Sequence, residues 1–209
     1  MKKLIYTLLA TTLITAFLTG CQNKNEKETK STSTTSNTTE ETSSTEKSTS
    51  IEVEHSKGTV TVPTDIKKAV VFDYGTLDTI DTLGVEVELA VPTDSLPSYL
   101  EKYKDVTNAG NIKEPDLEAI FAFEPDVIFI SGRQEAYYDQ LSEIAPTVYV
   151  ELNAETYMDD FNRNVTLLGN LFGKEEVAAN KLSEIEASLE ETKTITSQQE
   201  EKALILLVN

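Results

Sequence analysis

The chain has one cysteine, one histidine, no tryptophan, and 18 Lys and Arg against 36 Asp and Glu. Each shortage removes a class of protein. A single Cys cannot close an internal disulfide, build a zinc knuckle or hold an iron–sulfur cluster. A single His removes the multi-histidine zinc and manganese pockets and most facial-triad iron sites. A net charge of −18 argues against a nucleic-acid partner, because phosphate neutralisation needs clustered basic residues. The eight glycines form neither GxGxxG nor GxxxxGKS/T, and the GxSxG elbow and HExxH are missing too. A Ser-His-Asp triad would need His55, read as a surface residue of an opening hairpin, to reach across the domain. An enzyme therefore has no positive support. At 39% hydrophobic residues, the chain can build a globular core but not a polytopic membrane protein.

The longest early apolar stretch, Leu4 to Leu18, follows a basic Met1-Lys2-Lys3 start. At about 15 residues it is short for a membrane span, which needs roughly 20, and it reads as a signal peptide over 1–20. It ends in Leu18-Thr19-Gly20-Cys21, which resembles a bacterial lipobox. The resemblance implies cleavage before Cys21 and lipidation of its thiol, so the mature protein is expected on the outer face of the cell membrane. Two or more acyl chains anchor stably where one is marginal. A tether continues from Cys21 to residue 50, and 16 of the 29 residues in 22–50 are Ser or Thr. Such a segment cannot bury enough apolar surface to offset its ordering entropy. Residues 51–209 then carry 12 basic against 31 acidic side chains, a soluble and strongly negative surface.

Hydrophobic spacing orders the rest. Ile51–His55 and Thr59–Val62 alternate around Ser56-Lys57-Gly58, which suggests a β-hairpin. Lys68–Asp73 is a buried-strand pattern, followed by Leu77, Ile80 and Leu83 at helical spacing up to Gly84. A second strand is expected over 85–91, a short helix around Tyr99, and a helix with Leu117, Ile120 and Phe121 as its apolar face. Val127–Ile130 is an apolar strand ending at Ser131-Gly132-Arg133, with a helix over about 135–144 and a strand over 147–150. Met158, Phe161, Val165 and Leu168 line a further helix. Residues 174–196 lack Gly and Pro, and Ala178, Leu182, Ile185 and Leu189 form one narrow stripe on a long helix. Alternating strands and helices indicate an α/β, Rossmann-like lobe with a mainly parallel sheet. Ligands of such sheets gather at the carboxyl ends of strands, and the loops at Tyr74-Gly75 and Gly132-Arg133-Gln134 qualify.

Three stretches then carry a resemblance: Val70-Val71-Phe72-Asp73-Tyr74-Gly75-Thr76-Leu77-Asp78-Thr79, Gly110-Asn111-Ile112-Lys113-Glu114-Pro115-Asp116-Leu117-Glu118-Ala119-Ile120, and Glu124-Pro125-Asp126-Val127-Ile128-Phe129-Ile130-Ser131-Gly132-Arg133-Gln134. In order and spacing they resemble the substrate-binding lipoproteins of iron–siderophore ABC importers, nearest the Gram-positive branch that takes petrobactin and other ferric catecholates. The resemblance implies two α/β lobes joined by a long helix, with an Fe(III)–siderophore between them, no resident cofactor or metal, and delivery to an ABC permease. By it, 51–173 is the first lobe, 174–200 the connecting helix, and 201–209, with the apolar run Ala203–Val208, the start of a second lobe. The whole chain is then expected to be cut short and weakened as a receptor, and a complete member to be a monomer.

The resemblance also assigns roles. Arg133 would face the ligand, offering charge, donors and a planar face for aromatic rings. Tyr74 would form a cleft wall, and Gly75 would let the backbone and the following helix start approach an anion. Tyr138 is a further wall candidate. Tyr137 and Tyr138 diverge by about 100° on a helix, so either could instead face the core. Glu118 would dock against permease arginines, with Glu114 as the neighbour that could be mistaken for it. Two other readings remain at this point: a non-transporting surface interaction protein or an inactive truncated product, and direct ferric-ion binding by tyrosines.

Overall fold

The structure is a computed structural model and describes residues 49–198. The signal segment, Cys21, most of the tether and the apolar run at 203–208 lie outside the described residues. Two strands, β1 (Ser50–His55) and β2 (Gly58–Pro63), pair antiparallel as the expected hairpin. The main sheet contains β3 (Lys68–Val71), β4 (Glu88–Val91), β5 (Thr107–Asn108), β6 (Val127–Ile130) and β7 (Thr147–Tyr149). It is wholly parallel, in the order β5-β4-β3-β6-β7. The helices are α1 (Tyr74–Thr82), α2 (Leu117–Phe123), α3 (Tyr138–Ser142), α4 (Tyr157–Phe172) and α5 (Glu175–Thr196). Short 3-10 turns cover Ser98–Tyr103 and Gly132–Tyr137.

Parallel strands covered on both faces need side chains that are apolar on both faces. All four residues of β6 are fully buried. Alternation divides them between two cores. Ala69, Val71, Val127 and Phe129 meet α1, α4 and the hairpin through Leu77, Ile80, Leu168 and Val62. Val70, Phe72, Ile128 and Ile130 meet α2 and α3 through Ile120, Phe123 and Leu141. At about 1.5–3 kcal/mol for each fully buried aliphatic or aromatic side chain, these layers supply the main driving force for folding.

Several boundaries move from those the sequence suggested. The strand expected over 85–91 begins at Glu88, because Val85 is still bonded back to Ile80 as the chain leaves α1. The helix expected at 135–144 is split into a 3-10 turn and a five-residue α3. Phe121 was expected on the buried face of α2, but it is 71% exposed, and Phe123 takes the core position beside Ile120. The long helix exists, yet only its first turns pack. Ala178 is buried and Leu182 half-buried, whereas Ile185 and Leu189 are each 38% exposed. No helix among the described residues is long and apolar enough to cross a membrane.

Candidate ligand cleft

The chain runs outward from β3 through β4 to β5, then returns to place β6 on the other side of β3. That reversal opens a crevice at the carboxyl ends of β3 and β6, where open α/β sheets bind ligands. A cleft of about 1080 Å³ lies there, bounded by Asp73, Ser131, Gly132 and Tyr149, by β1 residues including His55, and by Arg163 and Asn164 of α4.

Its floor is held by local hydrogen bonds. Asp73 caps α1, accepting from the Thr76 backbone N–H at 2.9 Å and from the Thr76 hydroxyl at 3.1 Å. Gln134, fully buried, accepts from the Ser131 N–H at 3.1 Å and donates to the Ile112 carbonyl. Its amide thus fixes the turn that presents Arg133. From outside, Lys57 of the hairpin bonds Glu135 at 2.5 Å and lies 5.6 Å from the centre of the Tyr149 ring. The Lys57 contact holds the Glu135 carboxyl below its usual range, and Glu135 raises the Lys57 ammonium in return. Burial, with the Glu135 and Glu151 carboxylates, pushes the Tyr149 phenol up.

Asp160 anchors the far wall. It accepts from the Asn153 N–H at 2.8 Å, the Thr156 hydroxyl at 3.1 Å and Arg163 Nη1 at 2.6 Å. Those donors, the Asn153 N–H foremost, keep its carboxyl below the usual range despite burial. Arg163 is one of the two arginines in the chain and lines the cleft. It is not among the residues expected at the site from sequence. Its pairing with Asp160 at i, i+3 just beyond strand β7 is the signal that points to it.

Of the residues singled out in the sequence, Arg133 is exposed, follows the cleft residues Ser131 and Gly132 in the chain, and makes no ion pair with a described residue. Tyr74 is half-buried against the first core. Its hydroxyl donates to the Pro92 carbonyl at 2.8 Å and lies 3.0 Å from Ser95 Oγ. Gly75 leaves room for the helix cap, since a Cβ there would lie 3.2 Å from Asp73 Oδ1. Tyr138 packs on the second core and meets the His55 ring edge-on at 5.7 Å. Glu118 is exposed on α2, on the sheet face opposite α1 and α4. Arg133, Tyr74, Gly75 and Tyr138 are thus not among the residues that line the cleft, although their chain neighbours Gly132 and Asp73 are. His55 is not the surface residue expected. It is half-buried, its Nδ1 accepts from the Lys57 N–H at 3.2 Å, and its Nε2 is enclosed without a hydrogen-bond partner. The hairpin folds onto β7, and this encloses the ring. Among the described residues, no group of three or more His, Cys, Asp or Glu could hold a metal ion.

This is one parallel α/β lobe with an open crevice at its strand ends. Residues 70–209 match the family model described as periplasmic binding protein, and the chain belongs to that family. It is 36% identical over 168 residues to the petrobactin-binding protein of Bacillus subtilis, covering 78% of this chain and 53% of that protein. It is 31% identical over 168 residues to the ferric-anguibactin-binding protein of Vibrio anguillarum, covering 77% of this chain and 52% of that protein. The crystal structure of the Bacillus subtilis petrobactin-binding protein superposes with a TM-score of 0.69 at 37% identity, over 71% of this chain and 54% of that one. A siderophore-binding protein solved with two acinetobactin molecules and ferric iron gives a TM-score of 0.72 at 30% identity, over 77% of this chain and 59% of that one. The chain spans about half the length of the curated relatives it matches. These relatives are named as binding proteins.

Proposed function

We propose that this chain is the first lobe of an extracellular solute-binding lipoprotein that captures a ferric siderophore, of catecholate type, for an ABC permease. The observation that carries the reading is the cleft at the β3–β6 reversal, lined by Arg163, in a chain whose relatives are named for ferric siderophores. A ferric catecholate is anionic. The residues around the cleft include Glu52, Glu54, Asp73, Glu151 and Asp160, so attraction within it rests on Arg163, with Arg133 exposed on the turn next to Gly132. Arg163 is already shared with Asp160, which leaves Arg133 the freer charge.

In this reading the ligand sits between the described lobe and a second one, and α5 links them. The exposed stripe of Ile185 and Leu189 supports that role, because an apolar helix face is normally covered. Cys21 carries the lipid anchor, and Glu118 docks on the permease. Tyr74, Gly75 and Tyr138 do not line the cleft of this lobe, so in this reading they would meet the ligand only beyond its edge.

Tyrosine fluorescence, in a chain with no tryptophan and eight tyrosines, offers the test. The purified protein is titrated with ferric petrobactin, ferric enterobactin, a ferric hydroxamate and haem. The catecholates should quench at the lowest concentration. Preference for hydroxamate or haem over both catecholates would overturn the substrate class.

A further inference from the structure

The cleft has an aromatic wall, and it is none of the tyrosines expected there from sequence. Among the described residues that line it, only His55 and Tyr149 carry rings. The His55 ring is committed elsewhere: its Nε2 is enclosed, and it meets Tyr138 edge-on. Tyr149 ends β7 and pairs with Ile130 of β6, so it stands where the carboxyl ends of two strands open into the crevice. It is half-buried, rests on the second core and lines the cleft.

The surroundings seat this ring. Lys57 of the hairpin lies 5.6 Å from its centre and is itself bonded to Glu135, so a tied cation backs one face. Gly132 lies close to the phenol, where a Cβ would stand 3.6 Å from Tyr149 Oη, and it contributes no side chain to cover that oxygen. Burial and the Glu135 and Glu151 carboxylates favour the protonated phenol. Tyr149 therefore offers the cleft a ring and a hydrogen-bond donor, not a phenolate ligand for iron.

We propose that Tyr149 is the specificity-determining residue of this lobe for chelators with aromatic rings, its ring stacking on a catechol of the ligand and its hydroxyl donating to the anionic chelate. This rests on the siderophore reading above and gives the catecholate preference a physical cause. An aliphatic side chain of similar length fills the same space but offers no π-face.

The probe is ferric petrobactin or ferric enterobactin, whichever quenches the full-length protein at the lower concentration. Tyr149→Leu should weaken its binding about tenfold, whereas Tyr149→Phe, which keeps the ring, should stay within about threefold. Binding of a ferric hydroxamate, which has no ring to stack, should be the same in Tyr149→Leu as in the parent, whereas a merely structural role would weaken both ligand classes alike. A readout free of any folding defect uses the unmutated protein with ¹³C-labelled tyrosine rings and the diamagnetic gallium(III) form of the same catecholate. The Tyr149 signal, assigned by its absence in Tyr149→Phe, should move upfield as the ligand ring settles over it. An unmoved signal in a protein that binds the catecholate, or equal losses in the Leu and Phe variants, would overturn the role of the ring and leave the siderophore reading in place. Failure of the unmutated protein to bind either ferric catecholate would overturn both.

Discussion

Gln134 donates its side-chain amide to the Ile112 carbonyl while its oxygen takes the Ser131 N–H, so one buried residue joins the Arg133 turn to the loop that leads into α2. No water or alternative donor is needed to explain why a fully buried amide is tolerated there. Replacement by Leu keeps the volume but orphans both backbone groups. An unsatisfied buried polar group costs about 1–3 kcal/mol. Gln134→Leu should therefore lower the melting temperature by several degrees, and Gln134→Glu should retain the Ser131 bond but lose the one to Ile112. Melts of both variants check this. A Gln134→Leu protein as stable as the parent would mean that the turn is held by packing alone.

Arg133 owes nothing to the fold that its removal would disturb, because it is exposed and unpaired among the described residues. In a two-lobed protein carrying this sequence, Arg133→Ala should weaken ferric-catecholate binding by about 1.5–3 kcal/mol, the worth of a hydrogen bond to a charged group. That corresponds to roughly ten- to a hundredfold in affinity. Arg163→Ala should act differently. It frees Asp160, so it should weaken binding and also lower stability. Fluorescence titration with ferric petrobactin alongside thermal melts separates the two arginines.

Gly110 has φ +104°, and a Cβ there would lie 2.4 Å from the Asp116 nitrogen and 2.8 Å from the Glu114 oxygen. The loop folds back on itself, since the Asp116 N–H bonds the Ala109 carbonyl at 2.9 Å. Strained backbone of this kind costs about 1–3 kcal/mol, and the clash adds to it. Gly110→Ala should lower the urea midpoint by about 1 M with an unchanged slope. A midpoint within error of the parent would show that the loop can reopen freely.

His55 supplies a pH dependence. Burial holds its imidazole below the ordinary 6.5, and the Thr147 carbonyl and the Glu151 carboxylate only partly offset this. The Tyr138 ring and the Lys57 N–H also face it. A depressed folded value means that the unfolded chain takes the proton first. The stability linked to this group is therefore complete above about pH 6.5 and is lost as pH falls through the folded value. The many carboxylates repel one another less on acidification, which works the other way. The informative quantity is thus the difference between the parent and His55→Gln. Between about pH 7.5 and pH 5, the parent's melting temperature should fall relative to the variant's. Parallel profiles would show that the ring stays solvated.

Much of this was legible in the sequence, and the exceptions share a cause. Four of the five parallel strands follow from runs such as Val127–Ile130, whose apolarity on both faces fits a covered strand, whereas β5, two exposed residues at Thr107–Asn108, carries no such pattern and was read as loop. The crevice follows from strand ends at Asp73 and Ser131, because loop position is a property of chain order. Phe121, His55 and Arg163 were misread or passed over because their environments depend on long-range packing. Helical spacing offers Phe121 and Phe123 as rival core positions, and only the crossing of α2 on the sheet selects between them. His55 is enclosed by β7 and α3, some ninety residues away in the chain. Arg163 gains its meaning from the loop that Asp160 holds.

The crossing of α4 and α5 offers the last prediction. A Cβ on Gly169 would lie 2.8 Å from the Ala178 Cβ, and the Gly169 carbonyl accepts from the Lys174 N–H at 2.7 Å. The two helices therefore meet at a point where only one methyl group fits. Gly169→Ala gains helix propensity but overpacks the contact, at about 1–3 kcal/mol. Ala178→Gly removes the methyl and costs about 1 kcal/mol of propensity. Combined, the two changes move the methyl from one helix to the other, so the double variant should be more stable than the sum of the single effects by at least about 1 kcal/mol. Ile185→Ser, further along the same stripe but 38% exposed, should change stability by less than about 0.5 kcal/mol in this chain. Urea denaturation of the four variants measures all of these quantities. Additive effects of Gly169→Ala and Ala178→Gly would mean that α5 is not seated by this contact, and a large loss in Ile185→Ser would mean that its second half is packed after all.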